Sequence, residues 1–570
     1  MCGIAGIIGT QKHPEQVLEQ MLLKQKHRGP DAMQLWSENQ IALGHNRLAI
    51  VDLEPTANQP MHSRYGNFTI VFNGEIYNYL ELKKEVPDYP FSTKSDTEVL
   101  LALFQKMGKN MLPLLNGMFS MVIYDHAKKQ IFAARDRFGV KPFYFAFQDN
   151  ALFFASEIKS LWAAGIPKNQ NNKVWSNYVT YGTYGMPNET FWLGINQLAG
   201  GHYFETTLAA PTVEPIKWYD FVANCNRIPQ LSEKHLLSDY FELLEDSLKL
   251  RFRADVPIGF NCSGGLDSSL LVALVNKKYP DNATINAFTF YSNDANYDEL
   301  PWVKKLLEAT KYPLQECLFD KDTLPQLISK VAYYQDEPFG GFPTMAYSNV
   351  FKKAQELGFK VLLDGQGMDE AWAGYDYYHN QSGQLIQGTT ESPVRPEVFS
   401  NDFLKFAEKE QYPQPFESKM QNLQYRDLFY TKMPRALRFN DRNSMMYSTE
   451  LREPFLDYRL VELAFAQMDS IKYHNGQPKW MLRQIATTLL GNELALAPKR
   501  PVQTPQREWI ATALLPYMEA QIDAFSKNDF IDAKALKTIW QNYKLGNNET
   551  SFFIWQWINY NEILKATGDI

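Results

Sequence analysis

The sequence predicts a two-domain protein, in which a sheet-rich N-terminal domain precedes an α/β domain with a helical C-terminal part. Three observations support this. The chain has 570 residues, too many for one hydrophobic core. Residues 1–205 contain repeated strand-like runs, whereas strand-like and helix-like runs alternate after residue 233. Residues 206–232 contain three prolines and no clear period, which is typical of a linker.

The N-terminal strands are indicated by short apolar runs that end at polar turns. A run at 67–72 leads into Asn73-Gly74, a pair that favours a turn. Ser95 and Glu98 match a helix-capping pattern ahead of an apolar helical run. Two further pairs of runs flank polar turns and predict hairpins: 118–124 with 130–134, and 143–147 with 152–155.

The second domain shows the alternation of a parallel sheet covered by helices. Its predicted helices lie at 233–250, 268–278 and 302–310, and from Asp369 onward the pattern is mostly helical. The predicted strands are 256–262, 284–290, 313–318 and 360–363.

Composition excludes several classes of protein. The formal net charge is −7, which disfavours nucleic acid as the main partner. Four cysteines are widely scattered, so a disulfide framework or structural zinc site is not expected. The N-terminus does not read as a signal peptide, and no run is long and apolar enough to span a membrane. These features predict a soluble, cytoplasmic protein.

Two glycine-rich turns follow predicted strands of the second domain. The first, SGGLDSS at 263–269, opens a helix; its glycines admit a ligand to the backbone, its N–H groups favour an anion, and Asp267 could hold Mg²⁺. The second is DGQGMDE at 364–370. Turns at the carboxyl ends of parallel strands face one crevice, so both could face one nucleotide. The alternative is two unrelated turns.

Cys2 becomes the N-terminal residue if Met1 is removed. An α-amino group has a pKa of about 7.7–8.0, so it can serve as the base for its own side-chain thiol. By itself a cysteine at position 2 is usually a bystander.

The motifs around and after Cys2 resemble those of class II glutamine amidotransferase domains. In order they are CGIAG at 2–6, HRGPD at 27–31, GHNRLAI at 44–50, NGEIYN at 73–78 and SDTE at 95–98. The resemblance implies an N-terminal-nucleophile hydrolase with an αββα sandwich, and Cys2 as the nucleophile on glutamine. It assigns the oxyanion hole to Asn73 and Gly74, and the glutamine pocket to Arg47, Ile50, Val51, Asn73, Gly74, Glu75 and Asp96.

SGGLDSS is the pyrophosphatase-loop motif of enzymes that cleave ATP to AMP and pyrophosphate. Together the two halves resemble the glutamine-hydrolysing asparagine synthetases, with further matches at 438–457 and 476–483. The resemblance implies that Lys479 contacts the ATP phosphates and that Asp267 and Asp369 bind Mg²⁺. The ATP site it implies comprises Asn261, Ser263, Gly264, Gly265, Asp267, Ser268, Phe290, Asp364 and Gly365.

One residue departs from the family pattern. The second loop of the family usually reads SGEGxDE, but Gln366 stands here in place of the glutamate. Gln366 can form hydrogen bonds in the catalytic site but cannot titrate. Either Asp364 or Glu337 is then expected to take the ammonia proton in place of the glutamate, or the carboxylate that accepts the nitrogen differs from that of the family.

The resemblance predicts amide synthesis from aspartate, glutamine and ATP through β-aspartyl-AMP, with small molecules as partners, neither nucleic acid nor a membrane, and, by analogy, a homodimer. Three alternatives stay open. One is an amidotransferase for another carboxylate, in cell-surface glycan or natural-product synthesis. The others are an intramolecular synthetase such as a β-lactam synthetase, which Cys2 disfavours, and a non-catalytic storage or regulatory protein.

Overall fold

The computed structural model describes residues 2–280, 282–308, 310–379, 392–496, 504–546 and 550–568. An antiparallel sandwich is followed by a parallel sheet surrounded by helices. The predicted fold class is therefore confirmed for both parts. Among the described helices, none is both long and apolar enough to cross a membrane.

The N-terminal part contains two six-stranded antiparallel sheets. Their strand orders are β10-β8-β9-β1-β3-β2 and β12-β11-β7-β6-β5-β4. The strands are β1 (Gly3–Ile8), β2 (Ala32–Glu38), β3 (Ile41–Arg47), β4 (Met61–His62), β5 (Phe68–Ile76), β6 (Gly117–Asp125), β7 (Gln130–Arg135), β8 (Tyr144–Gln148), β9 (Ala151–Ala155), β10 (Ile195–Gln197), β11 (His202–Thr207) and β12 (Ile216–Lys217).

The described N-terminal part also contains five α-helices, three of which pack on the sheets. The five are α1 (Pro14–Lys24), α2 (Tyr79–Leu82), α3 (Asp96–Met107), α4 (Ile158–Ala163) and α5 (Asn172–Tyr181). Helix α1 packs on β1 and β3, α3 packs on β5, and α4 packs on β9. The buried layer between the sheets includes Ile4 and Leu43 from one and Val71 and Val122 from the other. This arrangement is the predicted αββα sandwich.

The C-terminal part contains one parallel sheet, in the order β15-β14-β13-β16-β17. The central strands are short, buried and apolar, which is typical of a sheet covered on both faces. Its strands are β13 (Ile258–Asn261), β14 (Asn286–Tyr291), β15 (Leu314–Leu318), β16 (Val361–Leu363) and β17 (Glu450–Arg452); β18 (Tyr473–His474) and β19 (Gln477–Pro478) form a separate small hairpin.

Helices make up most of the remaining described chain, including most of the segment after Asp369. They are α6 (Phe221–Arg227), α7 (Glu233–Arg251), α8 (Leu266–Lys278), α9 (Leu300–Leu307), α10 (Leu324–Gln335), α11 (Phe342–Glu356), α12 (Met368–Ala371), α13 (Asn401–Leu404), α14 (Lys419–Phe429), α15 (Lys432–Met445), α16 (Tyr458–Ala466), α17 (Asp469–Lys472), α18 (Trp480–Leu490), α19 (Asn492–Ala495), α20 (Gln506–Ala511), α21 (Leu515–Phe525), α22 (Ala533–Lys544) and α23 (Phe552–Thr567).

One local prediction was wrong. Asn73 and Gly74 do not form a turn; they lie inside β5, opposite Ser120 and Phe119 of β6. The segment after Asp369 is mostly helical, as predicted, but it also contributes β17, which pairs in parallel with β16. In both places pairing with a distant strand decides the backbone conformation, and local sequence does not contain that information.

Candidate active sites

Cys2 lies directly before β1, and only 7% of it is exposed. Its main-chain nitrogen donates to Oδ1 of Asn73 at 3.0 Å. Its carbonyl oxygen accepts from Nε of Arg28 at 3.0 Å. Burial raises the pKa of the thiol, so the thiolate needs a base close by. Hydrogen bonds to its nitrogen and to its carbonyl oxygen therefore fix the backbone of Cys2, as a nucleophile requires.

The Asn73 side chain is held next to Cys2 by a second contact. Its Nδ2 donates to Oγ of Ser156 at 3.4 Å, and the same Oγ accepts from the Ile4 main-chain nitrogen at 3.0 Å. Gly74 follows in the strand, where its backbone runs close to β6. Amide donors fixed in this way can stabilise an oxyanion without reorganising.

Replacing Gly74 with alanine is expected to reduce glutamine hydrolysis by at least about 100-fold, the effect of losing an oxyanion donor. The added Cβ would overlap the Met118 carbonyl oxygen and lie 2.7 Å from Cα of Phe119, displacing β5 beside Cys2. Ammonia-driven amide formation, measured in the same preparation, should be retained. Unchanged glutamate release would contradict this placement of Gly74.

Arg47, at the end of β3, organises the loop that follows it. Its Nη1 donates to the Glu54 carbonyl and to Oδ1 of Asn58, both at 2.8 Å, and its Nη2 donates to the Asp52 carbonyl. The loop contains Ile50 and Val51, and the Ile50 carbonyl accepts from the main-chain nitrogen of Asp255 at 2.9 Å. Among the described residues, no ion pair to Arg47 is found, which disfavours the simple alternative that this arginine only forms an ion pair at the surface.

Asp96 and Glu75 place two carboxyl groups near Cys2. Oδ2 of Asp96 accepts from the Ile76 main-chain nitrogen at 2.9 Å. Burial raises the pKa of Asp96 to about 6. Burial, together with the neighbouring Glu450 and Asp96 carboxylates, also raises the pKa of Glu75. A substrate ammonium placed here would offset this repulsion.

The two glycine-rich loops of the C-terminal part meet. They follow β13 and β16, neighbouring strands of the sheet. A Cβ on Gly365 would lie 3.3 Å from Cβ of Asp267, so the second loop packs against the first. Within the first loop, Oγ atoms of Ser263 and Ser268 lie 3.2 Å apart, and Gly264 has a positive φ of 68°. The structure thus brings the two loops to one crevice.

Lys479 connects the two predicted metal ligands. Its Nζ lies 2.6 Å from Oδ2 of Asp267 and 2.8 Å from Oδ1 of Asp369. Burial disfavours the charged amine, but the two carboxylates outweigh burial and raise the pKa of Lys479. Burial lowers the pKa of Arg483, and the nearby Asp267 carboxylate opposes that effect. The site therefore combines cations for phosphate with a pair of carboxylates.

This carboxylate pair fits Mg²⁺ of the kind that accompanies ATP. Protein Mg²⁺ sites commonly use one or two carboxylates and complete the shell with phosphate oxygens and water. Among the described residues, no group of three or more His, Cys, Asp or Glu side chains could hold a metal alone. Asp267 and Asp369 would thus hold Mg²⁺ together with the nucleotide.

The remaining predicted nucleotide residues lie along the same edge of the sheet. Asn261 ends β13 and is buried, and Phe290 lies in β14 with its ring 5.6 Å from that of Tyr347. Asp364 follows β16, and burial raises its pKa to about 6. These residues line the crevice that open parallel sheets use for ligands.

The geometry distinguishes between Asp364 and Glu337 as replacements for the family's glutamate. Gln366 is half-buried in the turn between β16 and α12. Glu337 is bound elsewhere: its Oε2 lies 2.6 Å from Nη1 of Arg438, and its Oε1 accepts from the Phe191 main-chain nitrogen at 2.9 Å. Of the two candidates considered from sequence, only Asp364 lies at the ATP crevice.

A buried charge network joins the two parts of the protein. Nη1 and Nη2 of Arg28 donate to Asp441 of α15 at 2.8 and 3.1 Å, and Nη1 also contacts Glu157 at 3.1 Å. Arg442 lies 3.0 Å from the same Glu157 oxygen. Both residues lie in motifs that are visible in the sequence, but a separation of 413 residues leaves no local signal for their pairing.

Asp441→Asn is expected to destabilise the protein by about 3–5 kcal/mol, the cost of breaking a buried ion pair from one side. Arg28 would keep its charge in a site that is 0% exposed, where the Glu157 oxygen that it shares with Arg442 would be its only anionic partner among the described residues. Urea unfolding followed by tryptophan fluorescence measures the effect. Asp402→Asn, which removes an exposed ion pair with Lys405, is the matched control and should change stability by less than about 1 kcal/mol. Equal effects would contradict the account.

Comparisons with known proteins agree with this geometry. Residues 1–219 match the glutamine amidotransferase domain family, and residues 239–565 match the asparagine synthase family. Asparagine synthetase (glutamine-hydrolysing) 1 of Bacillus subtilis is 27% identical over 93% of this chain and 92% of its own length. Asparagine synthetase (glutamine-hydrolysing) 3 of the same organism is 28% identical over 88% of this chain and 86% of its own length.

A relative with a different name is also similar. The Gibberella zeae protein amidase chry2 is 28% identical over 67% of this chain and 60% of its own length. Both family models match the parts of the chain that contain the two sites, and the second alone spans more than half of it. The chain therefore belongs to the asparagine synthase family and is a carbon–nitrogen ligase of the glutamine-hydrolysing asparagine synthetase type.

Proposed function

We propose that the protein hydrolyses glutamine at Cys2 and uses the ammonia to convert a carboxylate into an amide at the expense of ATP. The observation that supports this most strongly is the pairing of two sites in one chain. Asn73 holds the backbone of a buried cysteine, and Lys479 bridges Asp267 and Asp369 beside two glycine-rich loops.

At the first site, the thiolate of Cys2 attacks the carboxamide carbon of glutamine. Asn73 and Gly74 stabilise the oxyanion, ammonia leaves, and water hydrolyses the thioester to glutamate. Arg47, with the main chain of Ile50 and Val51, binds the substrate carboxylate. Glu75 and Asp96 bind the substrate ammonium, because opposite charges within a buried pocket favour each other.

At the second site, an acceptor carboxylate attacks the α-phosphate of ATP and pyrophosphate leaves. Lys479 offsets the negative charge that builds on the leaving group. Mg²⁺, held by Asp267 and Asp369, would neutralise phosphate charge. Ammonia then displaces AMP from the acyl-adenylate to give the amide. Enclosure of the ammonia is favoured because free ammonia is mostly protonated in neutral water.

The proposed acceptor is the β-carboxylate of aspartate, which gives asparagine through β-aspartyl-AMP. The relatives named asparagine synthetase over most of the chain support it. A second candidate is another carboxylate, in a glycan or natural-product precursor. Gln366, which cannot titrate, and the similarity to a protein named amidase favour this second candidate.

Exchange of labelled pyrophosphate into ATP tests the acceptor. The exchange is measured with wild-type protein, Mg²⁺ and one carboxylate at a time: aspartate, glutamate, a sugar uronic acid, or an N-acylated amino acid. Exchange with aspartate alone supports asparagine synthesis. Exchange with another acid but not aspartate would reject aspartate and keep the reaction type. If none of the acids supported exchange, the result would contradict adenylation itself.

A further inference from the structure

Glu453 is a buried carboxylate at the edge of the parallel sheet that faces the ATP site. It follows β17 directly and is 5% exposed. The main-chain nitrogen of Asp364 donates to the carbonyl of Arg452 at 2.9 Å. Asp364 and Glu453 are thus the first residues beyond two neighbouring parallel strands. Ligands of such sheets bind outside this edge.

Glu453 also lines a small cavity between the two parts of the protein. The cavity has a volume of about 20 Å³, which is room for one molecule the size of water or ammonia. On one side it is bounded by Met118, which pairs with Glu75 next to the proposed oxyanion position. On the other it is bounded by Leu456, whose Cδ1 would lie 3.2 Å from a Cβ on Gly367. The lining of the cavity therefore includes one residue next to each candidate site.

The surroundings of the Glu453 side chain favour its protonated form. Among the described residues, it has no hydrogen bond or ion pair to its side chain. Burial raises its pKa to about 8, with Lys141 opposing and Asp364 adding to the effect. The titratable or charged groups that face it or share its cavity are Tyr77, Asp136, Arg137, Lys141, Arg251, Asp364, Asp441 and Tyr458.

Three other buried carboxylates in this part of the protein already have arginine partners. Arg452 lies 2.5 Å from Glu450 and 3.8 Å from Glu75, and Arg438 pairs with Glu337. Gln366 offers no titratable group. Asp364 lies at the same edge of the sheet, but its Oδ1 accepts from the Gly365 main-chain nitrogen at 2.6 Å. Glu453 lines the cavity and is free to change its charge.

We propose that Glu453 accepts the proton that the nitrogen loses when ammonia attacks the acyl-adenylate. The C–N bond forms as the nitrogen lone pair adds to the carbonyl carbon. One N–H proton passes to the Glu453 carboxylate, and the bond between carbon and the AMP oxygen breaks with its electrons on the phosphate. Acyl-AMP, ammonia and the carboxylate thus become amide, AMP and the carboxylic acid. This inference rests on the proposed function.

Glu453→Gln tests the proposal, because it keeps the shape and removes the titration. Amide formation from glutamine should fall by about 100-fold or more, the usual share of general base catalysis. Glutamate release and pyrophosphate exchange should stay within about twofold of wild type, since both precede ammonia attack. Glu462→Gln is the matched control: Glu462 in α16 accepts from Tyr219 and Asn224, lies outside this cavity, and should leave all three rates unchanged.

The pH profile separates proton transfer from a structural role. The carboxylate accepts a proton only when ionised, so wild-type amide formation should rise as pH passes through about 8. The rise should be absent in Glu453→Gln. An unchanged amide rate, or a rise that survives the substitution, would overturn the proposal; so would loss of pyrophosphate exchange in a folded variant. A wild-type protein that forms no amide with any acceptor would instead overturn the proposed function.

Discussion

Cys2→Ala should lower glutamine-driven amide formation by at least about 1000-fold, because the reaction loses its nucleophile. Ammonia supplied directly should still give product at close to the wild-type rate, since Asp267, Asp369 and Lys479 form a separate site in the parallel-sheet part of the chain. Glutamate, AMP and amide are quantified with glutamine and then with ammonium chloride at the same pH.

Cys225→Ala is the matched control for this experiment. Cys225 is also a free, buried cysteine, but it lies in α6 with its Sγ 3.9 Å from the Glu462 carbonyl, and burial raises its pKa far above neutrality. Both nitrogen sources should support this variant. If Cys2→Ala lost the ammonia-driven reaction too, the division of labour between two sites would be contradicted.

Asp267→Asn should slow pyrophosphate release by at least about 100-fold while glutamine hydrolysis stays measurable. Asparagine preserves the size of the side chain, but Lys479 loses one of its two carboxylate partners and Mg²⁺ loses a charged ligand. The measurement follows pyrophosphate and glutamate in parallel across a range of Mg²⁺ concentrations.

Asp246→Asn provides the comparison, because Asp246 pairs with Arg459 at a half-exposed site and has no role in the proposed chemistry. It should leave both products unchanged. Undiminished pyrophosphate release in Asp267→Asn, at every Mg²⁺ concentration, would mean that the metal assignment is wrong.

Local sequence was sufficient where an element depends on its own residues. Ser95 accepts from the Glu98 main-chain nitrogen at 3.3 Å and begins α3 at Asp96, as its capping pattern predicts. It was insufficient where a distant partner decides. Asn73-Gly74 resembles a turn, but pairing with β6 extends the strand through it. The three residues of β17 are a strand because β16 lies beside them.

The same limit applies to the sites. Residue types predicted the phosphate loops, because glycine turns after buried strands indicate them. The bridge from Lys479 to Asp267 joins residues 212 positions apart, and the pair of Arg28 with Asp441 joins residues 413 apart. Glu453 lies within the matched segment 438–457, but the sequence assigns it no role; its burial and the cavity between the two parts distinguish it.

The most direct test of the account follows the amide nitrogen of glutamine through the reaction. Wild-type protein is given [amide-¹⁵N]glutamine, ATP, Mg²⁺ and aspartate, or the carboxylate that supports pyrophosphate exchange, and products are measured by mass spectrometry. The account predicts ¹⁵N in the product amide, with one AMP and one pyrophosphate formed for each amide. Release of ¹⁵N-ammonia and glutamate without labelled amide or AMP would contradict it.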